Sequence, residues 1–138
     1  MPHSSIIDAL SRNDLCAARD LLLAEFLEQT ADKNCWDSPH YVADRTLQEA
    51  IKIDPARNEL FSYFGLENLR DRYVLRDAEK RVCENPQTFY ARVATGMARG
   101  DLPLAQRLYD AMSLHWFIPA TPVLMNIGTD KGLPISCF

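Results

Sequence analysis

The sequence has no run of basic residues, no apolar stretch of membrane-spanning length and no closely spaced pair of cysteines. Each absence removes a class of function. Lys and Arg number 15 against 19 Asp and Glu, a formal net charge of −4, and no basic stripe offsets this. Direct nucleic-acid binding is therefore not expected. A bilayer-crossing helix needs about 18 or more apolar residues in a row, and none is present. The first residues, MPHSSIIDALSRND, lack a basic segment followed by an apolar one, so no signal peptide is expected and a cytoplasmic protein is. Cys16, Cys35, Cys83 and Cys137 each lie more than four residues from the next, which excludes a zinc-type CxxC pair. Their wide spread is unlike a small disulfide scaffold. Cys16 and Cys83 fall in helical patterns and read as packing residues, because a free cysteine behaves as a small hydrophobe. Internal repeats and low-complexity tracts are absent too.

What is there suits a single globular domain. A chain of 138 residues buries about two-thirds of its unfolded surface. Apolar residues make up 47% and charged residues 25%, both ordinary for a globular protein.

Most of the chain reads as helix. Ile6 to Leu10 makes a short amphipathic turn, and Asn13 or Asp14 caps a helix through LCAARDLLLAEFLEQT. Its apolar positions include Leu15, Ala18, Leu22, Leu23, Ala24 and Phe26, a face broad enough for more than one neighbour. Residues 31–40 are polar and turn-rich. Tyr41 to Ile53 suggests another helix, and Asp54-Pro55 opens the next. Phe61, Phe64, Leu66, Leu69, Tyr73 and Leu75 form the densest apolar cluster, with Gly65 expected to split two short helices. Asp71, Arg72, Arg76 and Asp77 read as a solvated charged face. Asn85-Pro86 starts a helix whose face holds Phe89, Val93, Gly96 and Met97, stopped by Gly100. Asp101 caps the next, with Leu104, Leu108, Ala111, Met112 and His115 near helical spacing. Beyond it Pro119 and Pro122 predict an extended tail.

That tail, ATPVLMNIGTDKGLPISCF, carries the sharpest chemistry. It reads as strand cut off from whatever it packs against, which implies an incomplete chain; two strands alone are marginal in water and leave an edge open to pairing. Thr121, held by the following proline, presents a hydroxyl in a fixed direction, as phosphate ligands do. Asn126 to Gly132 is a turn with two glycines that does not match a P-loop. Ser136-Cys137 puts a thiol beside a hydroxyl. A cysteine hydrolase would need a base, and His3, His40 and His115 supply none in an evident pattern; His115 reads as a core histidine on an apolar helix face.

Taken as a string, FIPATPVLMNIGTDKGLPISCF resembles the start of the catalytic barrel in the large (catalytic) subunit of ribonucleotide reductase. The family pattern is an apolar residue, Pro, a small residue, Thr or Ser, Pro, a short apolar run, a Gly-containing loop and Ser-Cys. Upstream, LFSYFGLENLRDRYVLRD and NPQTFYARVATGMA resemble the family's helical N-terminal region. The resemblance covers about residues 45 to 138; residues 1–44 match nothing, and no ATP-cone is evident. It implies a mainly α chain: N-terminal helices over 1–44, a helical domain over 45–117, and over 118–138 the first strand or strands of a ten-stranded α/β barrel not completed here.

The resemblance also implies an activity, reduction of ribonucleotides to deoxyribonucleotides for DNA synthesis. It makes Cys137 one of two redox-active thiols and places Thr121 and Ser136 at substrate-binding positions. The second thiol, the radical-bearing cysteine and the proton-shuttling Asn/Glu pair come from later in the family's chain. Cys16, Cys35 and Cys83 do not match them. The chain alone is therefore expected to be inactive, whether it comes from a split gene, an interrupted gene or a truncation. No cofactor is expected within it. The whole enzyme would need a radical source, either a metal-containing partner subunit or adenosylcobalamin, and a thioredoxin- or glutaredoxin-type reductant. Expected partners are the remainder of the catalytic subunit, the ribonucleotide and, where the class uses one, a radical-generating small subunit. The competing expectation is a non-catalytic helical interaction module of the same descent, binding through Phe61, Phe64, Leu69 and Tyr73.

Overall fold

The computed structural model describes residues 2–131, and within them seven α-helices carry the fold. α1 (Pro2–Ser11) buries Ile6 and Ala9. A turn at Asn13, whose φ is 58°, leads to Asp14, and the Asp14 carboxylate accepts the Ala17 N–H at 3.0 Å to cap α2 (Leu15–Thr30). α2 buries Ala18, Leu22, Leu23 and Phe26 and packs on two neighbours, as its broad face predicts. Leu15 and Ala24 face solvent instead. No helix among the described residues is long and apolar enough to cross a membrane.

Residues 31–44 are irregular apart from a short 3₁₀ turn at Cys35–Asp37. The expected helix from Tyr41 to Ile53 contracts to α3 (Arg45–Ala50), capped by Asp44. Competing partners explain the contraction. Tyr41 pairs with Thr129 in an antiparallel bridge, and the Val42 N–H goes to the Gly128 carbonyl. On the far side the Lys52 and Asp54 N–H groups are taken at 2.8 Å by Gln106 and the Tyr109 hydroxyl. Asp54 then caps a 3₁₀ turn, Pro55–Leu60, where a helix start was expected.

α4 (Tyr63–Asn68) is capped by Ser62 and runs without interruption into a π-helical turn, Leu69–Tyr73. Gly65 lies inside α4 and does not split it; the cap hydroxyl bonds its N–H at 3.1 Å. The charged stretch after it is also not all solvated. Asp77 is buried, at 7% exposure, and its carboxylate accepts the N–H groups of Glu79 and Arg81. It thereby builds a tight arm closed by an Arg76–Val82 bridge. Cys83 leaves this arm buried and outside any helix, whereas Cys16 is exposed on α2, so the expected packing role holds for Cys83 alone.

α5 (Pro86–Ala98) is the central element. Asn85 accepts the Gln87 and Thr88 N–H groups, and Pro86 occupies a first-turn position where its missing donor costs nothing. Seven consecutive residues, Phe89 to Thr95, are buried, so the helix is covered on every side. α6 (Leu102–Ser113), capped by Asp101, turns back against it through Ala105, Tyr109 and Met112. Leu104 and Leu108 pack at the edge of that contact.

The tail departs from expectation. Residues 118–120 are irregular, and Thr121–Asn126 forms a short helix, α7, where strand was predicted. Proline excludes helix only where its N–H would be needed, and Pro122 sits in the first turn. The Ala120 carbonyl then accepts the Val123 and Leu124 N–H groups at 3.0 and 3.1 Å. Isolated bridges are the β pairing found among the described residues. The expected strand at Leu133–Phe138 lies outside them.

Candidate functional site

The tail is held by a charged side chain in the middle of an apolar helix. Arg92 and Glu84 are both fully buried, and the Arg92 Nε donates to Glu84 Oε2 at 2.8 Å. Nη2 donates to Glu84 Oε1 at 3.2 Å, giving a two-pronged pair. The same guanidinium reaches outward. Nη1 donates to the Ile127 carbonyl at 2.7 Å and Nη2 to the Leu124 carbonyl at 3.2 Å. A cation thus sits at the C-terminal end of α7, where carbonyls lack partners and the helix dipole is negative. Glu84 Oε1 also accepts the Leu75 N–H at 2.7 Å, tying the arm to the same centre.

Gly96 completes the seat. A Cβ there would lie 2.7 Å from Ile127 Cγ1 and 3.0 Å from the Gly128 nitrogen, so only hydrogen allows this approach. Gly128, at φ +76°, turns the chain, and a Cβ on it would press on Arg92 and Ala43. Beyond the turn, Thr129 Oγ1 donates to the Asn126 carbonyl at 2.7 Å and accepts the Lys131 N–H. The Asp130 N–H bonds the His40 carbonyl, and His40 Nδ1 meets Asp130 Oδ1 at 2.8 Å. Residues 127–131 are therefore pinned to residues 40–42 on one side and to α5 on the other.

Of the three site residues predicted from sequence, Thr121 alone lies in the described region. It is exposed at the start of α7, with its Oγ1 3.3 Å from the Tyr73 hydroxyl. Thr121 is not held extended by the following proline: Ala120 is the extended residue, as the N-cap, and Thr121 is already the first residue of α7. Ser136 and Cys137 lie outside the described residues.

The other cysteines are poor candidates for thiol chemistry. Burial, then the Glu84 charge, pushes the Cys83 thiol up to about 12 and the Cys35 thiol well above its ordinary range. Both stay protonated and unreactive. Among the described residues no group of three or more His, Cys, Asp or Glu is placed to hold a metal.

The sequence assigns no task to Arg92, inside the NPQTFYARVATGMA motif, or to Glu84 just before it. The available signal was a lone arginine between Phe89 and Val93, since a buried charge demands a partner.

Residues 59–132 match the family model described as "Ribonucleotide reductase, all-alpha domain". The ribonucleoside-diphosphate reductase large subunit of Invertebrate iridescent virus 3 is 46% identical over 88 residues, 64% of this chain and 13% of that protein. Large chain 2 of the same enzyme from Saccharomyces cerevisiae is 39% identical over 93 residues, covering 67% and 10%. The Arabidopsis thaliana large subunit is 34% identical over 96 residues, covering 67% and 12%. The chain thus spans about a tenth of the length of these relatives.

Proposed function

Since the chain belongs to the ribonucleotide reductase all-alpha domain family, we propose that it is the N-terminal portion of a ribonucleoside-diphosphate reductase catalytic subunit, working in the cytoplasm and inactive alone. It contributes Thr121 and Ser136 to substrate binding and Cys137 to electron transfer. The remainder of the subunit, including a ten-stranded barrel begun by the last residues here, supplies the rest.

The observation that carries this reading is the Arg92–Glu84 clamp on Leu124 and Ile127, with Gly96 beneath the loop. A buried ion pair is a costly way to add stability, and its best-attested use is to fix a register. Here it fixes the segment that leads into Ser136-Cys137. Trp116, Phe117 and Ile118, at 77, 41 and 69% exposure, offer an apolar strip beside the same segment. Such a strip suits a face that a barrel covers.

The chemistry asks for two electrons. The ribose 2′-hydroxyl leaves as water, C2′ gains hydrogen, and the Cys137 thiol and a second thiol lose their hydrogens as they close to a disulfide. An external dithiol of the thioredoxin or glutaredoxin type reopens that disulfide. The assembled enzyme would need a radical source, either a metal-containing partner subunit or adenosylcobalamin, to start the reaction.

The test is reconstitution. The chain is coexpressed with the polypeptide that supplies the barrel, and dithiol-dependent reduction of ribonucleoside diphosphate is assayed. Cys137→Ser is expected to abolish turnover while the complex still forms. Normal turnover with Cys137→Ser would end the proposal. The alternative of an interaction module loses much of its contact face, because Phe61 and Leu69 are buried and Phe64 is left as its exposed anchor.

A further inference from the structure

Around the arm that follows α4, Lys33, Arg76, Lys80 and Arg81 surround a cavity of about 500 Å³. That is the size of a small-ligand site. The protein is net negative, at −4, so four cations around one cavity run against its overall charge. Two of them are already neutralised. Lys33 Nζ lies 3.1 Å from Asp77, and Arg81 lies 3.4 Å from Asp77 and 3.6 Å from Glu79. The other two are not. Arg76 donates to the carbonyls of Lys80 and Arg70, each at 3.2 Å, which fixes its guanidinium without cancelling its charge.

Lys80 sits at the tip of the arm with φ 65°, a conformation that a lysine adopts rarely. The surrounding turn imposes it, through the Lys80 N–H to the Asp77 carbonyl at 2.9 Å and the Arg81 N–H to the Asp77 carboxylate.

We infer that this cavity is an anion site for a polyphosphate group, recognised through the Arg76 and Lys80 charges and independently of any attached base. Three features define the ligand. The N–H groups of Glu79, Lys80 and Arg81 are already spent on Asp77, which leaves side-chain charge as the means of recognition. Val82 is the apolar side chain among the lining residues and no aromatic ring is present, so nothing stacks on a base. Arg76 Nη1 donates to the Lys80 carbonyl, so the two uncancelled charges lie close together on one short arm, which favours compact dense charge over an extended acidic peptide. Asp32 also lines it and opposes any anion.

The experiment is calorimetric titration of the whole chain with tripolyphosphate, ATP and an oligoglutamate peptide, at low and physiological salt. Tripolyphosphate and ATP are expected to bind equally, and both to weaken with salt. Lys80→Glu should weaken binding by about tenfold or more, and Asp32→Asn should tighten it. Arg107→Glu makes the same change in net charge on α6, which lines none of the cavity, and should leave binding unchanged. Lys80→Gly accepts the turn geometry without strain, so it removes the charge while preserving the fold. The proposal is overturned if tripolyphosphate does not bind, if Lys80→Gly binds it as tightly as the parent, or if Arg107→Glu weakens it as much as Lys80→Glu. Binding of the peptide in preference to tripolyphosphate overturns it as well.

Discussion

Where α1 and α2 meet the core, the buried surface is mostly apolar, with Ile6, Ala9, Ala18, Leu22, Leu23 and Phe26 in it. Between α5 and α7 the contact turns on a guanidinium, a carboxylate and two backbone carbonyls at fixed distances. The two regions solve different problems. Apolar contact rewards area removed from water and tolerates small shifts. Hydrogen bonds to a buried charge tolerate little, because each misaligned bond leaves a desolvated polar group. The family match covers residues 59–132, the region with the polar clamp, and leaves out α1 and α2. The hairpin before it adds buried area; the region within it sets where the tail goes.

Removing the clamp should have the largest effect. Arg92→Met keeps the volume but strands Glu84 as a lone buried charge and frees the carbonyls of Leu124 and Ile127. The expected loss is about 3–5 kcal/mol, read from urea unfolding. Hydrogen exchange gives the sharper reading. The Asp130 N–H should lose protection relative to the amides of α5. Leu22→Ala serves as the control, costing about 3 kcal/mol by cavity formation while that ratio stays unchanged. Equal loosening of Asp130 in both variants would erase the distinction between the regions.

Gly96→Ala is expected to cost less, about 2 kcal/mol. The sign is the informative part. Elsewhere in a helix this exchange stabilises by up to about 1 kcal/mol. Here the new methyl meets Ile127 Cγ1 at 2.7 Å and the Gly128 nitrogen at 3.0 Å, and backbone yields poorly. A raised melting temperature would show that α5 and the loop do not interlock.

Much of this architecture was legible, because local signals and tertiary structure agree. The caps at Asn85 and Asp101 are each readable from one side chain and the apolar run behind it, and Asp14 is one of the two neighbouring candidates for α2. Where they disagree, a distant partner wins. Residues 41–44 have a helical pattern, yet Val42 pairs with Gly128, far along the chain. Pro122 was read as a helix breaker, although a breaker in the first turn is a helix starter. Of the candidate site, the Thr-Pro and Ser-Cys motifs were readable as strings. The clamp was not, because nothing local says that Arg92 faces Glu84 on one side and α7 on the other.

His115 offers the smallest effect and tests the other side of α5. The sequence predicts a core histidine on an apolar helix face; His115 instead lies half-buried in the turn after α6, and burial holds its pKa below the ordinary histidine value. Its ring meets Phe61 edge-on at 4.7 Å and Tyr90 at 6.3 Å, and its buried Nε2 has no hydrogen-bond partner. With a depressed native pKa, the unfolded chain binds more protons than the folded one, so stability rises with pH. The contribution is complete above the ordinary histidine range and falls away as pH drops through about 6.5 toward the lower native value. His115→Asn removes the titration and still accepts the local φ of 61°. Urea midpoints between about pH 5 and 8 should fall more steeply on acidification in the parent than in the variant. Parallel curves would mean that the Phe61–Tyr90 pocket admits water and takes up the imidazolium at no cost.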